Sequence, residues 1–495
     1  MTIPENIISR LLTKKILILG LAKEGWSSYQ FLRKNLPEKI IGLADQKTQP
    51  DLEKKWQDTI NTDSNLKLHL GPDHLDSLTE YNLILKTPGI PSTLKPIKNA
   101  INGRVELSSN LELMLKIVSN WQEQEKKSLD VKLKKAPDTL FEPITIGVTG
   151  TKGKSTTASI IHHVLKSAGL DSVLVGNIGT PALDRINQIT SKTKLVIEMS
   201  SHQLADLKLS PDIAVIQRIT SEHLDYYQNQ QEYVNSKKAI TMYQKVNQYV
   251  IYDHEWPTTQ QIANLSSGHH LNFSLEEKND SLVYSKNNEL VFRDKKGLKE
   301  AIIATSEVPL LGEHNLVNTM PSILIAKMFG LANKQIQQAI STFKPLPHRL
   351  ELVTKKNGVE YYNDSMATMP DAAMSALLVF ANQPIILLAG GHERNQDFVP
   401  LANSIVKHNV KSLILFPPTG ERIWQEVEKI LREQESTKPI DHHLVSNMDE
   451  AITIAANSAV TEDIVLLSPG AASFGCFANY QDRGEQFRRA VFALK

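Results

Sequence analysis

A short apolar run, a glycine-rich loop and a helical pattern follow one another between residues 144 and 168. Residues 144–148 predict a buried strand, and residues 157–168 have the spacing of a helix. Glycines in such a loop let backbone N–H groups converge on phosphate oxygens, and the helix N-terminus adds partial positive charge. The segment therefore predicts a phosphate-binding loop, although Val148 stands where the strict G-x-x-x-x-G-K-[ST] pattern requires glycine. The loop sequence is Gly150-Thr151-Lys152-Gly153-Lys154-Ser155-Thr156.

Strand and helix patterns alternate along the 495-residue chain, which predicts an α/β fold. At about 100–200 residues per domain, a chain of this length is expected to form several domains. Within the β-rich residues 271–307, two apolar runs flank polar residues as in a hairpin. We predict a Rossmann-like amino-terminal domain over 1–118, a charged linker or insertion over 119–143, a central P-loop ATPase-type α/β domain with an additional small β-sheet over 144–344, and a Rossmann-like carboxyl-terminal α/β domain over 345–495.

Composition excludes several classes of protein. Lys and Arg number 55 against 54 Asp and Glu, so no overall field attracts nucleic acid or an anionic membrane. The single cysteine, Cys476, rules out an intramolecular disulfide and zinc sites built from several cysteines. A basic pair and a short apolar run near the N-terminus mimic a signal peptide, but Lys23 and Glu24 interrupt the run. A single cysteine fits a reducing compartment, and we expect a cytoplasmic protein without a nucleic-acid or membrane partner. We also expect a monomer that acts on small molecules, although composition does not determine the oligomeric state.

Acidic and histidine side chains follow two predicted strands of the central segment. Glu198 comes directly after residues 194–197, and His223 follows residues 213–216 within the sequence Glu-His-Leu-Asp. In a parallel sheet the carboxyl ends of the strands face the ligand crevice, and Mg²⁺ prefers oxygen ligands. Either residue alone is more often structural. Their position after a phosphate-binding loop makes both candidates for a metal site.

The motifs together resemble those of the Mur ligases, ATP-dependent amide-forming enzymes of bacterial cell-wall synthesis. The resemblance covers nearly the whole chain, and each motif alone is weakly specific while the ordered set is highly specific. Besides the phosphate-binding loop, it rests on residues 198–204, 222–225, 312–318, 346–349, 363–368, 390–398 and 468–473.

The resemblance implies an ATP site, two Mg²⁺ sites and a carbamylated lysine. Lys154, His223 and the modified lysine are implied as catalytic residues. The Tyr-x-x-x-Lys spacing from Tyr233 identifies that lysine as Lys237, whereas counting from His223 favours Lys238. Tyr233, Lys237 and Lys238 lie on a helical pattern, on which Tyr233 and Lys237 share a face. The implied metal residues are Ser155, Thr156, Glu198, His223 and Lys237, and the implied ATP-binding residues are Gly150, Thr151, Lys152, Gly153, Lys154, Ser155, Thr156, Asn315, Asn318, Arg349 and Asp364.

Within the family, the motifs are most similar to those of the enzymes that add D-glutamate to UDP-N-acetylmuramoyl-L-alanine. Three residues depart from the pattern: Met366 and Arg394 stand where lysine is usual, and His202 stands where phenylalanine is usual. Met366 removes a cation, whereas Arg394 preserves an anion site with altered reach. The implied UDP-sugar residues are Leu21, Asp45, Thr87, Pro88, Gly89, Asn177, Ser200 and Gln203, and the implied amino-acid residues are Thr368, Arg394, Ser473 and Tyr480.

Three other functions stay open at this stage. A related ligase would add another amino acid or elongate folate with glutamate, but residues 468–473 and the first domain argue against it. A non-catalytic P-loop nucleotide-binding protein is a second alternative, and the candidate metal residues argue against it. An NAD dehydrogenase is supported only by the first glycine loop, where Gly20 and Gly25 are present but Ala22 replaces the middle glycine.

Overall fold

The computed structural model describes residues 1–130, 140–177, 179–220, 226–227, 229–435 and 439–494. The chain falls into two compact units. The first comprises Met1–Val308 and Glu313–Phe343, and the second comprises Pro309–Gly312 and Lys344–Lys495. None of the helices in the described residues combines the length and the apolar character that a membrane-spanning segment requires. The domain boundaries proposed from the sequence stay predictions.

The amino-terminal part of the first unit is built on a parallel sheet with the order β3-β2-β1-β4-β5. Strand β1 is buried along its whole length between two neighbours, which explains its uninterrupted apolar sequence. The strand order reverses direction at β1, so a ligand crevice is expected at the carboxyl ends of β1 and β4. The strands are β1 Ile16–Leu19, β2 Ile41–Asp45, β3 Leu66–Leu70, β4 Leu83–Lys86 and β5 Glu106–Ser108, and the helices are α1 Glu5–Thr13, α2 Lys23–Asn35, α3 Lys54–Thr62, α4 Lys95–Asn102 and α5 Asn110–Asp130.

The segment predicted as a charged linker begins as the last turns of helix α5. Trp121 is only 2% exposed, and its indole donates a hydrogen bond to the Thr2 carbonyl at 2.8 Å. The Gln122 amide donates to Asp212 Oδ2 at 2.7 Å. The first residues of the predicted charged linker are therefore helical up to Asp130, and the side chains of Trp121 and Gln122 bind other segments of the chain. Residues 131–139 lie outside the described part of the chain.

A nine-stranded sheet with the order β14-β13-β12-β11-β10-β9-β6-β8-β7 forms the rest of the first unit. The predicted hairpin is confirmed as the antiparallel pair β12 and β13, with Asn287 and Asn288 at φ 52° and 61° in the turn. The additional small sheet expected from the sequence is not separate, since β12 pairs with β11 and extends the main sheet. The strands are β6 Ile144–Thr149, β7 Ser172–Gly176, β8 Lys194–Glu198, β9 Ile213–Ile216, β10 Tyr249–Asp253, β11 His269–Phe273, β12 Val283–Lys286, β13 Glu289–Arg293 and β14 Lys299–Ala304, and the helices are α6 Lys154–Ser167, α7 Ser201–Leu204, α8 Gln230–Asn235, α9 Pro257–Ala263, α10 Glu313–Met328 and α11 Asn333–Ser341.

The second unit contains a six-stranded sheet with the order β15-β16-β20-β17-β18-β19, in which only the β15–β16 pairing is antiparallel. Alternate residues of β17 enter two different hydrophobic clusters, so both faces of the sheet are covered. This confirms the predicted α/β fold of the carboxyl-terminal part. The strands are β15 Glu351–Lys356, β16 Val359–Asn363, β17 Ile385–Gly390, β18 Val410–Phe416, β19 Asp441–Leu444 and β20 Ile464–Leu467, and the helices are α12 Pro370–Val379, α13 Val399–Lys407, α14 Thr419–Glu433, α15 Met448–Ser458 and α16 Tyr480–Ala493.

Candidate active site

The predicted phosphate-binding loop joins the carboxyl end of β6 to the N-terminus of α6. The helix begins at Lys154, earlier than the sequence pattern indicated, so Lys154, Ser155 and Thr156 form its first turn. Backbone N–H groups in a first helical turn have no partner within the helix and are available to an anion. Gly150 and Gly153 have φ of 154° and 82°, and a Cβ atom at Gly153 would lie 2.1 Å from Asn318 Oδ1. Glycine is therefore required at both ends of the loop.

Hydrogen bonds anchor this loop to the end of β9. The Thr151 N–H donates to the Arg218 carbonyl at 2.8 Å, and the Thr151 hydroxyl oxygen accepts from the Thr220 N–H at 2.9 Å. The Tyr233 hydroxyl lies 3.0 Å from the Thr151 hydroxyl. The Lys154 ammonium donates to the Thr151 carbonyl at 2.8 Å. The lysine expected to contact phosphate is thus held against its own loop.

The start of helix α10 packs beside the same loop. The Asn318 amide donates to Asn315 Oδ1 at 2.9 Å, and the Asn318 carbonyl accepts from the Thr157 hydroxyl at 3.1 Å. Gln217 Nε2 donates to the Thr157 hydroxyl at 2.9 Å. The structure therefore brings Asn315 and Asn318 to the phosphate-binding loop, although they lie far from it in sequence. Gln217 was not singled out from the sequence, and its place directly after β9 is the signal that could have found it.

Glu198 ends strand β8 beside the phosphate-binding loop. The parallel register pairs Glu198 with Val148, two residues before the loop begins. Glu198 is 1% exposed, and its Oε1 accepts from the Asn177 amide at 3.3 Å. Its Oε2 is shielded from solvent and has no hydrogen-bond partner among the described residues. A buried carboxylate oxygen of this kind suits an oxygen-seeking cation such as Mg²⁺.

The described residues contain no group of three or more His, Cys, Asp or Glu able to hold a metal ion. Ser155 and Thr156, which lie in the first turn of α6, would add hydroxyl oxygens near Glu198. His223, predicted as a metal and catalytic residue, lies with residues 221–225 outside the described part of the chain.

Lys237, and not Lys238, is the lysine buried against the phosphate-binding loop. Lys237 is 1% exposed, its ammonium donates to the Gly150 carbonyl at 3.2 Å, and it lies 4.5 Å from the centre of the Tyr233 ring. Lys238 is half-buried and begins a short 3₁₀ turn, Lys238–Ile240. The predicted helix over these residues is wrong in extent, because α8 ends at Asn235. Tyr233 and Lys237 are nevertheless close in space.

The residues predicted for the UDP end of the substrate lie at the expected crevice of the amino-terminal sheet. The Leu21 N–H donates to Asp45 Oδ2 at 2.7 Å, which joins the ends of β1 and β2. A Cβ atom at Gly20 would lie 2.0 Å from Thr87 Oγ1, so the loop after β1 packs directly on the loop after β4. Pro88 and Gly89 follow Thr87 in that loop.

Ser200 and Gln203 form the N-terminal cap of helix α7. The Ser200 hydroxyl accepts from the Gln203 N–H at 3.2 Å, and the Gln203 side-chain oxygen accepts from the Ser200 N–H at 2.9 Å. The Gln203 amide nitrogen donates to Glu24 Oε1 at 2.7 Å. Glu24 lies in the first turn of α2, and no local pattern in the sequence marks it as a site residue.

In the second unit, Asp364 follows strand β16 and is buried among hydrogen-bond donors. Its Oδ2 accepts from the Ser468 hydroxyl at 2.8 Å, and its Oδ1 accepts from the Leu350 N–H at 3.2 Å. Burial raises the pKa of Asp364 to about 7, although the hydrogen bond from Ser468 opposes the shift. The Arg349 guanidinium lies 3.1 Å from the Met366 sulfur. Met366 therefore packs against a residue predicted to bind the nucleotide.

Two of the predicted amino-acid residues lie in loops that follow neighbouring strands of the second unit. Strands β17 and β20 pair in parallel, and the loops that follow them carry Arg394 and Ser473. The Arg394 guanidinium lies 5.6 Å from the ring centre of Phe474, which directly follows the buried Ser473. The Thr368 carbonyl accepts from the Gln396 amide at 3.1 Å. Three of the four predicted positions thus lie in loops at the carboxyl ends of strands of this sheet.

Tyr480 begins helix α16, and its carbonyl accepts from the Ser365 hydroxyl at 2.8 Å. Arg483, one turn later, is completely buried, and no local pattern in the sequence marks it as a site residue. Its guanidinium donates to the Ser365 carbonyl at 2.8 Å and to the Ala471 carbonyl at 3.1 Å. Burial lowers the pKa of Arg483 to about 10. This arginine joins two of the predicted motifs, and only its contacts reveal it.

A cavity of about 710 Å³ lies away from all of these residues. It is lined by Leu12, Lys15, Lys39, Ile40 and Tyr81, among others, at the amino ends of strands β1 and β2. Ligands of parallel α/β sheets bind at the carboxyl ends. Since the predicted site residues of the amino-terminal sheet lie at those carboxyl ends, this cavity is not the active site.

Three family models match the chain. They are the Mur ligase MurD-like, N-terminal domain over residues 14–109, the Mur ligase middle domain over 148–326, and the Mur ligase, glutamate ligase domain over 348–470. The chain is 32% identical over 484 residues to the UDP-N-acetylmuramoylalanine–D-glutamate ligase of Listeria monocytogenes serotype 4b, covering 97% of each chain. It is 30% identical to the enzyme of the same name from Caldicellulosiruptor bescii, over 97% of this chain and 98% of that one.

Solved structures share the fold at low sequence identity. A crystal structure of MurF from Acinetobacter baumannii aligns with a TM-score of 0.59 at 11% identity, over 98% of both chains. The structure of MurF ligase from Thermotoga maritima in complex with ADP aligns with a TM-score of 0.56 at 16% identity, over 96% of this chain and 95% of that chain. These likenesses show a common fold.

Proposed function

Because this chain belongs to the Mur ligase family, we propose that it is an ATP-dependent ligase that joins D-glutamate to UDP-N-acetylmuramoyl-L-alanine in peptidoglycan precursor synthesis. One observation carries this proposal: identity of 30–32% to ligases of that name extends over 97% of the chain. The aligned residues therefore include most of the amino-terminal and carboxyl-terminal parts as well as the phosphate-binding loop. A match limited to the phosphate-binding loop would support only nucleotide binding.

The reaction requires activation of a carboxylate, since oxide is a poor leaving group. The alanyl carboxylate of the nucleotide-sugar attacks the γ-phosphate of ATP, which gives ADP and an acyl phosphate. The neutral amine of D-glutamate then attacks the acyl carbon, and phosphate leaves. Charge develops on the transferring phosphoryl oxygens, where Lys154 and the N–H groups at the start of α6 are proposed to stabilise it.

The side chains at the end of β8 and in the first turn of α6 fit a divalent cation. Glu198 supplies a buried oxygen without a partner among the described residues, and Ser155 and Thr156 supply hydroxyls in the first turn of α6. Bound Mg²⁺ would neutralise charge on the phosphate oxygens. We keep His223 as a proposed ligand and general base from the resemblance, with the leaving phosphate as the alternative base.

Lys237 is the proposed carbamylated lysine. Its burial and its contact with the Gly150 carbonyl support this choice over the half-buried Lys238. Reaction of its neutral amine with CO₂ would convert a cation beside the loop into a carboxylate that can orient a metal ion. In the second unit, Arg349 and Asp364 are proposed to bind the nucleotide, and Thr368, Arg394, Ser473 and Tyr480 to bind the amino acid.

Phosphate release from ATP tests the proposed function directly. We expect release that depends on both UDP-N-acetylmuramoyl-L-alanine and D-glutamate, with little turnover when L-glutamate, lysine or alanine replaces D-glutamate. Equal turnover with lysine or alanine would contradict the amino-acid assignment while leaving the ligase assignment in place. Tight ATP binding without turnover under any combination of substrates would instead indicate a non-catalytic nucleotide-binding protein.

Arg394→Ala is expected to raise the KM for D-glutamate by about 30-fold or more while leaving the affinity for ATP unchanged. The guanidinium is proposed to pair the side-chain carboxylate of D-glutamate, and truncating one partner of such a pair costs about 2–5 kcal/mol when the site is desolvated. Arg394→Lys should recover part of the loss, because it restores the charge without the bidentate geometry. Steady-state kinetics with D-glutamate as the varied substrate measure the effect.

Arg432→Ala is a suitable control for this experiment. Arg432 is 75% exposed on α14 and pairs with Glu428. The variant removes an equal charge from the same unit at a distant surface position. A similar rise of the KM in both variants would show that the general charge of the unit, and not a contact made by Arg394, determines the affinity.

A further inference from the structure

Glu24 holds the side chain of Gln203 in one orientation. The Gln203 side-chain oxygen accepts from the Ser200 N–H at 2.9 Å, and its amide nitrogen donates to Glu24 Oε1 at 2.7 Å. Both ends of the amide are therefore fixed, and one N–H of the nitrogen remains for another partner. The contact joins the first turn of α2 in the amino-terminal part to α7 in the central part of the first unit.

The second oxygen of the same carboxylate is shielded from solvent. Glu24 Oε2 has no hydrogen-bond partner among the described residues. The nearby cation does not satisfy it, because the Lys86 ammonium lies 3.0 Å from Asp206 Oδ2 and donates to the carbonyls of Ile90 and Thr87 at 2.6 and 3.2 Å. An ammonium has only three N–H donors. Burial raises the pKa of Glu24, against the hydrogen bond from Gln203 and the charge of Lys86.

An unsatisfied buried acceptor indicates that its hydrogen-bond donor is supplied by a molecule other than the protein. The proposed nucleotide-sugar contacts of the amino-terminal part, at Leu21 and Thr87, lie in the loops that follow β1 and β4. Gln203 lies on the central part, which carries the phosphate-binding loop. Glu24 is thus between the proposed UDP end and the reacting end. Diphosphate oxygens carry no donor at neutral pH and would be repelled by a carboxylate, whereas a pyranose ring and its amide groups carry O–H and N–H donors.

We propose that Glu24 is a specificity-determining residue for the sugar portion of the nucleotide-sugar substrate. Glu24 Oε1 orients the Gln203 amide, and Glu24 Oε2 accepts a hydrogen bond from an O–H or N–H group of the sugar or of its amide substituents. This proposal rests on the proposed function, since it assigns a contact to the substrate of that reaction. It predicts discrimination between UDP alone and UDP carrying the amino sugar.

Glu24→Gln tests the contact, because the variant retains an oxygen for Gln203 but places an N–H₂ group where Oε2 stands. Isothermal titration without ATP should show that the Kd of UDP-N-acetylmuramoyl-L-alanine rises about tenfold or more, as expected when a buried donor loses its acceptor. The Kd of UDP should change less than about twofold, since UDP lacks the sugar. In turnover, the KM for the nucleotide-sugar should rise while the KM values for ATP and D-glutamate stay unchanged.

Two further variants keep the test decisive. Glu24→Asp retains the charge but is one methylene shorter, so it should also weaken binding of the full substrate. Lys34→Gln is the matched control, because Lys34 on the same helix donates to Asn187 Oδ1 at 3.3 Å and links the same two parts without touching Gln203. Thermal unfolding of all variants checks that they are folded.

An unchanged Kd of the full substrate in folded Glu24→Gln and Glu24→Asp would overturn the proposal. Equal weakening of UDP and of the full substrate would also overturn it, since Glu24 would then act on the nucleotide end. A similar rise of the Kd of the full substrate in Lys34→Gln would also overturn it, because the effect would then come from packing between the two parts. If the wild-type protein itself binds UDP but not UDP-N-acetylmuramoyl-L-alanine, the proposed function fails, and this contact fails with it.

Discussion

Lys154→Ala is expected to lower the rate of ATP-dependent phosphate release by about 10²–10³-fold, as is typical when one preorganised group that stabilises developing charge is removed. The Lys154 ammonium is held 2.8 Å from the Thr151 carbonyl. The charge is therefore placed at the phosphate-binding loop by a contact within the loop itself. Removal of Lys154 should lower kcat and kcat/KM by similar factors, because the charge that this lysine contacts grows in the transition state.

Folding should be almost unaffected by this substitution. Lys154 is the first residue of α6 and is half-buried, and alanine is the most favourable residue in a helix. Lys166→Ala, at an exposed position in the last turn of the same helix, is the control for loss of a charge from α6. Turnover of Lys154→Ala close to that of the control, at saturating ATP, would contradict the proposed phosphate contact.

Lys237→Ala should lose most of its activity, by about 10–100-fold, and should regain part of it when a small carboxylate such as formate or acetate is added. Lys237 is buried against Gly150, so its replacement leaves a space beside the loop that a small anion can enter. An added carboxylate would then stand in for the proposed carbamate as an orienting group for the metal. Loss of such an orienting group typically costs about 10–100-fold in metal affinity or activity.

Lys238→Ala separates the two adjacent lysines. Lys238 is half-buried in the 3₁₀ turn that follows Lys237, so its replacement should leave turnover close to that of the wild type. Phosphate release with and without added acetate compares both variants under one set of conditions. If Lys238→Ala is the inactive variant that acetate rescues, the assignment of the modified lysine is displaced by one residue.

The parts of the site that a local pattern encodes could be predicted from the sequence. Strand β6, the glycine loop and α6 are contiguous, and the position of Glu198 at the end of β8 follows from a short apolar run. The register that pairs Val148 with Glu198 then confirms that a strand end and the loop are neighbours. Hydrophobic runs and glycines are sufficient here, because the chemistry lies within a few residues of the pattern.

Contacts between distant segments could not be predicted in this way. Glu24 interrupts an apolar run and has the pattern of a surface residue, yet it pairs with Gln203, 179 residues away. Arg483 belongs to a charged stretch but is completely buried between two motifs. For Lys237 the helical pattern was misleading, because α8 ends two residues earlier and the lysine turns towards Gly150. In each case tertiary packing, and not local propensity, determines the environment of the side chain.

The order of strands in the second unit also determines when that unit can be completed during synthesis. Strand β20 is the last of the six in sequence but lies between β16 and β17, with which it pairs along its whole length. A nascent chain that ends before Ile464 therefore presents two unpaired strand edges from the middle of the sheet, and such edges favour pairing with other chains. Prematurely terminated products of this protein should thus be aggregation-prone, and ribosome-bound chains should depend on chaperones until β20 has emerged.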